Sequence, residues 1–124
     1  MRRNIQTSEA PSAIGPYSQA VEVDNMLFIS GQIPLDPRTS EPAGNDIETQ
    51  TSQVMQNLAA ILHAAGYSFE NVVKTTVYLT DLNDFQKMNL IYSEFLTGKP
   101  ARSTVQVSLL PRNVKIEIDA IAAK

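Results

Sequence analysis

The sequence predicts an α+β domain: a sheet of about five strands with two helices packed on one of its faces. Three observations carry this. Two stretches place apolar residues at helical spacing, several short runs are β-branched or alternate in polarity, and no repeat or long linker divides the chain. The 124 residues are one domain's worth, so residues 1–124 are read as a single domain. With 43% hydrophobic and 19% charged residues, the composition is that of a globular protein able to bury a core.

Val21–Val23 and Met26–Ser30 are short β-type runs joined by the turn pair Asp24-Asn25. Met26-Leu27-Phe28-Ile29 is apolar at every position, the pattern of a strand buried on both faces. Residues 34–44 are rich in Pro, Gly, Ser and Thr and form a loop. A helix follows. Asn45 and Glu48 have capping-box spacing, Ile47, Thr51, Val54, Leu58, Ile61, Leu62 and Ala65 make one stripe, and Gly66 stands where a terminating glycine belongs.

Val72–Leu79 is β-branched and aromatic, hence a strand. Phe85–Leu96 is a second helix with Phe85, Met88, Tyr92, Phe95 and Leu96 on one face. Ser103–Leu109 and Val114–Ile121 are two further strands, expected to form a hairpin about residues 110–113. Alternation then sets Val105, Val107 and Leu109 with Val114, Ile116, Ile118 and Ala120. Arg102, Thr104, Gln106, Lys115, Glu117 and Asp119 fall on the polar face, with Glu117 opposite Gln106. Two helices cover one face only, so a homo-oligomer is expected to cover the other.

Much chemistry is excluded. Without cysteine there is no disulfide, thiolate nucleophile or thiolate metal site. The one histidine, His63, lies off the helical stripe with nothing to pair it to a nucleophile or metal. Gly-x-Ser-x-Gly, Walker A and Gly-x-Gly-x-x-Gly motifs are missing. A formal net charge of −3 and no Lys/Arg cluster give no footprint for nucleic acid. Apolar runs such as Met26–Ile29 are far too short to span a membrane, and a cytoplasmic protein is expected.

What remains is Arg, Glu, Tyr, Asn, Ser and backbone amides. Arg102 follows Pro100-Ala101, whose proline restricts the chain there, and its planar fork suits a carboxylate. Position alone fits a strand-end salt bridge as well. Glu117 is a carboxylate on a sheet face that, if covered, would have a raised pKa. Asn89 falls within the apolar face of the second helix, where a buried amide needs partners. Tyr17 follows the stiff Gly15-Pro16 turn, where it could equally be a packing residue.

Together, Ala-Ile-Gly-Pro-Tyr-Ser-Gln (13–19), Ser-Gly-Gln-Ile-Pro (30–34), Val-Lys-Thr-Thr-Val-Tyr-Leu (73–79), Pro-Ala-Arg-Ser (100–103) and Ile-Glu-Ile-Asp-Ala-Ile-Ala (116–122) resemble the RidA/YjgF family over nearly the whole chain. The resemblance implies a chorismate-mutase-like fold and a homotrimer with a site in each cleft between protomers. It also implies hydrolysis of enamine/imine intermediates such as 2-aminoacrylate to 2-oxo acids and ammonia, with no metal and no cofactor. Arg102 matches the arginine that grips the substrate carboxylate, and Glu117 the glutamate that moves protons or orients water. Tyr17, Asn89 and the Ser30-Gly31 loop match pocket residues, and a backbone carbonyl near Thr104 could also hold water. Thr104 stands where many relatives carry Cys, and the segment 96–99 is shorter than in several; both could shift substrate range. Two other readings stay open: a non-catalytic trimer that binds small carboxylates as a regulator, and RNA cleavage, which the acidic balance disfavours.

Overall fold

The computed structural model describes residues 1–124. Six strands form one sheet: β1 (Arg2–Ile5), β2 (Ala20–Val23), β3 (Met26–Gln32), β4 (Val72–Leu79), β5 (Ala101–Gln106) and β6 (Ile116–Ala123). Their spatial order is β1-β2-β3-β6-β4-β5, antiparallel throughout except for the parallel β4–β5 edge pair. The helices are α1 (Ile47–Ala65) and α2 (Phe85–Phe95), and α2 is the crossover between the two parallel strands. Neither helix is long and apolar enough to cross a membrane.

Both helices pack on the same face. Alternation in β6 sends Ile116, Ile118, Ala120 and Ala122 into the core, where they meet Leu27 and Ile29 of β3 and Val77 and Leu79 of β4. Against them lie Val54, Met55, Leu58, Ile61 and Leu62 of α1 and Met88 and Tyr92 of α2. Burying a side chain of this kind stabilises by about 1.5–3 kcal/mol, and this layer holds the sheet in shape.

The structure corrects the sequence reading in five places. The first strand, Arg2–Ile5, was not predicted: it is a polar edge strand, buried only at Ile5, with no alternation to betray it. The helix cap is Asp46, one residue later than predicted; its carboxylate accepts from the Thr49 amide at 2.9 Å and the Thr49 hydroxyl at 2.8 Å. Gly66 does end the helix, in the left-handed conformation at φ 84°. Met26–Ile29 is not buried on both faces within the chain. Leu27 and Ile29 are buried, whereas Met26 and Phe28 are about 40% exposed on the face without helices.

The expected hairpin does not form. β5 pairs in parallel with β4, and β6 inserts between β3 and β4. Glu117 therefore faces Tyr78, and Gln106 faces Leu79. The last correction follows from the register. Arg102 pairs with the buried Thr75, so it projects to the helix side; Thr104, paired with Val77, does the same. Glu117 and Asp119 project to the open side, where Val105 also lies, exposed and outside the core. Arg102 and Glu117 do not share a face.

Candidate functional site

Two half-sites result. The first sits at the free edge of the sheet, between β5 and α2. The Arg102 guanidinium lies over two rings, 4.8 Å from the centroid of Tyr92 and 5.3 Å from that of Phe85. Its Nη1 donates to Asn89 Oδ1 at 2.6 Å. Phe85, Asn89 and Tyr92 follow at helical spacing, so one face of α2 provides both the stacking rings and the acceptor. Tyr92 is itself fixed, its hydroxyl 2.6 Å from the hydroxyl of Thr75.

This arrangement holds the guanidinium plane and leaves most of its five N–H groups unengaged. No carboxylate of the chain pairs with it, so the strand-end salt bridge does not exist. Beside it opens a cavity of about 360 Å³ lined by Asn89, Tyr92, Ser93, Lys99 and Arg102 among others. Asn89, anomalous on an apolar helix face, thus has its partner. The roles of Phe85 and Tyr92 were missed because their spacing reads equally well as core packing.

The second half-site is on the open side of the sheet. Glu117 lies across Gly31 of β3: a Cβ built on Gly31 would stand 2.8 Å from the Glu117 Cδ and closer still to Oε2. Only glycine leaves the Glu117 carboxylate room to lie in this place, since any side chain would push it aside. A register shift in the β3–β6 pairing between Ile29 and Gln32 creates this approach. Burial raises the Glu117 pKa above its usual 4.5, and the Asp119 charge raises it further. Tyr78, directly across the β4–β6 pair, donates its hydroxyl to Asp119 Oδ2 at 3.2 Å. Burial, then Asp119, raise the Tyr78 pKa as well. Alternation along β6 had placed Asp119 beside Glu117, but nothing in the sequence identified Tyr78 as their neighbour.

Tyr17 and Gly31 line one cavity of about 240 Å³, together with Ile33, Leu35 and Arg112. Ser30 is tied down on all sides. Its amide donates to the Gln19 carbonyl at 3.0 Å, its Oγ donates to the Ser18 carbonyl at 2.6 Å, and its carbonyl accepts from Gln32 Nε2 at 3.1 Å. His63 is exposed on α1, and no three of the His, Asp and Glu side chains come together as a metal site would require. Of the sequence candidates, Arg102 and Asn89 meet at the β5–α2 edge, Thr104 lies on the same side of β5 but does not line that cavity, and Tyr17, Ser30, Gly31 and Glu117 gather about β3.

The chain is thus a two-layer α+β protein with an aromatic-stacked arginine at one sheet edge and a carboxylate lying across a glycine on the opposite face. The family profile described as "Endoribonuclease L-PSP" matches residues 7–124. A "RutC family protein" of Pyrococcus horikoshii is 57% identical over 125 residues, covering 100% of this chain and 99% of its own. The "2-iminobutanoate/2-iminopropanoate deaminase" of Mus musculus is 49% identical, covering 100% and 93%. The crystal structure of E. coli TdcF with bound serine superposes with a TM-score of 0.94 at 45% identity, over 98% of each chain. The chain belongs to the RidA/YjgF family.

Proposed function

We propose that the protein is a cofactor-independent 2-iminobutanoate/2-iminopropanoate deaminase, hydrolysing reactive enamine and imine acids in the cytoplasm to 2-oxo acids and ammonia. The observation that carries this reading is the Arg102 guanidinium, held flat over Tyr92 and Phe85 beside a cavity and paired with no carboxylate of its own chain. A planar fork so presented fits a substrate carboxylate, and each charge-assisted hydrogen bond contributes about 1.5–3 kcal/mol. A mammalian relative bears the deaminase name, and the E. coli relative holds serine, a small carboxylate.

The chemistry needs little equipment. A proton added to the terminal carbon of 2-aminoacrylate gives the iminium tautomer. Water attacks the iminium carbon, a proton moves to nitrogen, and the carbinolamine collapses: the carbon–oxygen double bond forms as the carbon–nitrogen bond breaks. Iminium plus water thus gives a 2-oxo acid plus ammonium, with no oxidant or reductant. Glu117, whose raised pKa lets it hold a proton closer to neutral pH, serves as shuttle. Arg102 orients the acid, and reacting groups held near reaction distance face a lower barrier.

Because Arg102 and Glu117 lie on opposite faces of one sheet, the working site joins two copies. The β5–α2 edge of one protomer lies against the open face of the next, and three such contacts close a homotrimer. Met26, Phe28, Val73 and Val105, each 40–46% exposed, give that face its apolar surface. A non-catalytic regulatory trimer that binds small carboxylates would use the same arginine, and the serine complex of the E. coli relative favours it as second reading. RNA cleavage finds little support in a chain of formal net charge −3.

The test couples a serine/threonine dehydratase to this protein and follows pyruvate while semicarbazide competes for the imine. Wild type accelerates hydrolysis and Arg102→Ala does not. Equal acceleration by both removes Arg102 from the mechanism, and 2-oxobutanoate binding without turnover favours the regulatory trimer.

A further inference from the structure

Gln19 lies at the wall of the Tyr17 cavity, yet its side chain is spent on the connection between β1 and β2, where it makes more hydrogen bonds than any other. That connection, residues 6–19, contains no helix or strand and carries Tyr17. Long connections of this kind are held by specific contacts or not at all. Gln19 is only 3% exposed. Its Oε1 accepts from the Thr7 amide at 2.7 Å. Its Nε2 reaches three carbonyls: Pro11 at 2.8 Å, Thr7 at 3.0 Å and Ala10 at 3.3 Å. One side-chain amide thereby pairs with both backbone groups of Thr7, as a neighbouring strand would, and gathers the turn at 10–11 onto the same point. A primary amide suits this: it offers one strong acceptor and two N–H donors on a planar group.

The backbone of the same residue extends the hold to β3. The Gln19 carbonyl accepts from the Ser30 amide at 3.0 Å, and the neighbouring Ser18 carbonyl accepts the Ser30 hydroxyl at 2.6 Å. Ser30 leads directly into Gly31, across which Glu117 lies. We propose that Gln19 is a positioning residue of the reaction: its buried side-chain amide sets the shape of the Tyr17 loop, and its backbone carbonyl joins that loop to the Ser30-Gly31 backbone that frames Glu117. Its polar atoms are taken up by the loop, so it acts through Tyr17, Ser30 and Gly31. The inference rests on the deaminase reading above.

The test compares wild type, Gln19→Met and Gln19→Glu in the assembled protein. Methionine keeps the length and removes every side-chain hydrogen bond; glutamate keeps size and acceptor but sets a carboxylate against three carbonyls. Gln19→Met is expected to lower kcat by about tenfold to a hundredfold with KM within about threefold, because the carboxylate clamp is in the other half-site. Amide hydrogen exchange should quicken in residues 7–18 and at Ser30, with α1 and β4 unchanged. For Gln19→Glu, kcat relative to wild type should recover as pH falls and the new carboxyl regains a donor proton, a response a merely structural role would not give.

A folded Gln19→Met with wild-type kcat, or with unchanged exchange in residues 7–18, overturns the proposal. If Gln19→Met does not fold, Gln19→Glu carries the test, and a flat ratio across pH overturns it. Global unfolding of both variants overturns it too, by making Gln19 a stability residue. A wild type without turnover defeats the deaminase reading itself, an outcome visible before any variant is measured.

Discussion

Glu117 lies so closely across Gly31 that residue 31 has no room for a methyl group: its Cβ would meet the Glu117 Cδ at 2.8 Å and Cγ at 3.1 Å. The obstructing atoms belong to a flexible side chain, so Gly31→Ala is relieved by swinging the carboxylate aside. The predicted result separates geometry from stability. The melting temperature should move little, while the deamination rate falls at least about tenfold because the proton-bearing group has left its place. Thermal melts and initial rates on one preparation check this.

Glu117 also gives the stability a pH dependence. Burial first, and Asp119 second, raise its folded pKa above the 4.5 of the unfolded chain. The folded state therefore holds more protons in the interval between the two values, and stability falls as pH rises through it. Glu117→Gln lacks this loss, so it should gain on wild type between pH below 4.5 and neutral pH, modestly because the carboxyl is half exposed. Urea midpoints of both proteins at the two pH values measure it. In the rate profile, Asp119→Asn should move the limb governed by Glu117 to lower pH.

Asn57 holds the segment that follows β3. It is 1% exposed on α1, and its Nδ2 donates to the Ile33 and Leu35 carbonyls at 3.2 and 3.0 Å. Its Oδ1 accepts from Gln53 at 2.9 Å. Asn57→Ala leaves the Leu35 carbonyl without its donor, while the Ile33 carbonyl keeps the Leu35 amide at 2.8 Å; the change should cost about 1–3 kcal/mol by chemical denaturation. Ile33 and Leu35 line the Tyr17 cavity, so activity should fall with it.

Much of this was legible in the sequence, and the failures have physical causes. The α1 stripe, its closing glycine and the β4 run were read correctly because burial on one face imposes a period that short-range sterics preserve. Asn89 stood out because an amide on an apolar face demands a partner, and Arg102 is that partner. Alternation told which residues of one strand share a side, but not which strand lies next to it. β5 and β6, adjacent in sequence, looked like a hairpin, whereas β4 claims β5 in parallel and β6 on its other edge. The turn between them has Arg112 and Asn113 at φ 60° and 57°, left-handed backbone that composition did not announce. With the hairpin went the polar face that Arg102 and Glu117 were expected to share.

That separation makes the proposed joining of Arg102 in one protomer to Glu117 in its neighbour directly testable. Arg102→Ala and Glu117→Gln are each prepared, shown to be inactive, then unfolded together in equal amounts and refolded. In a cyclic trimer every mixed assembly contains one cleft with both native residues, so activity should return to about a quarter of the wild-type rate. A refolded mixture no more active than either variant alone would mean that Arg102 and Glu117 do not meet across protomers.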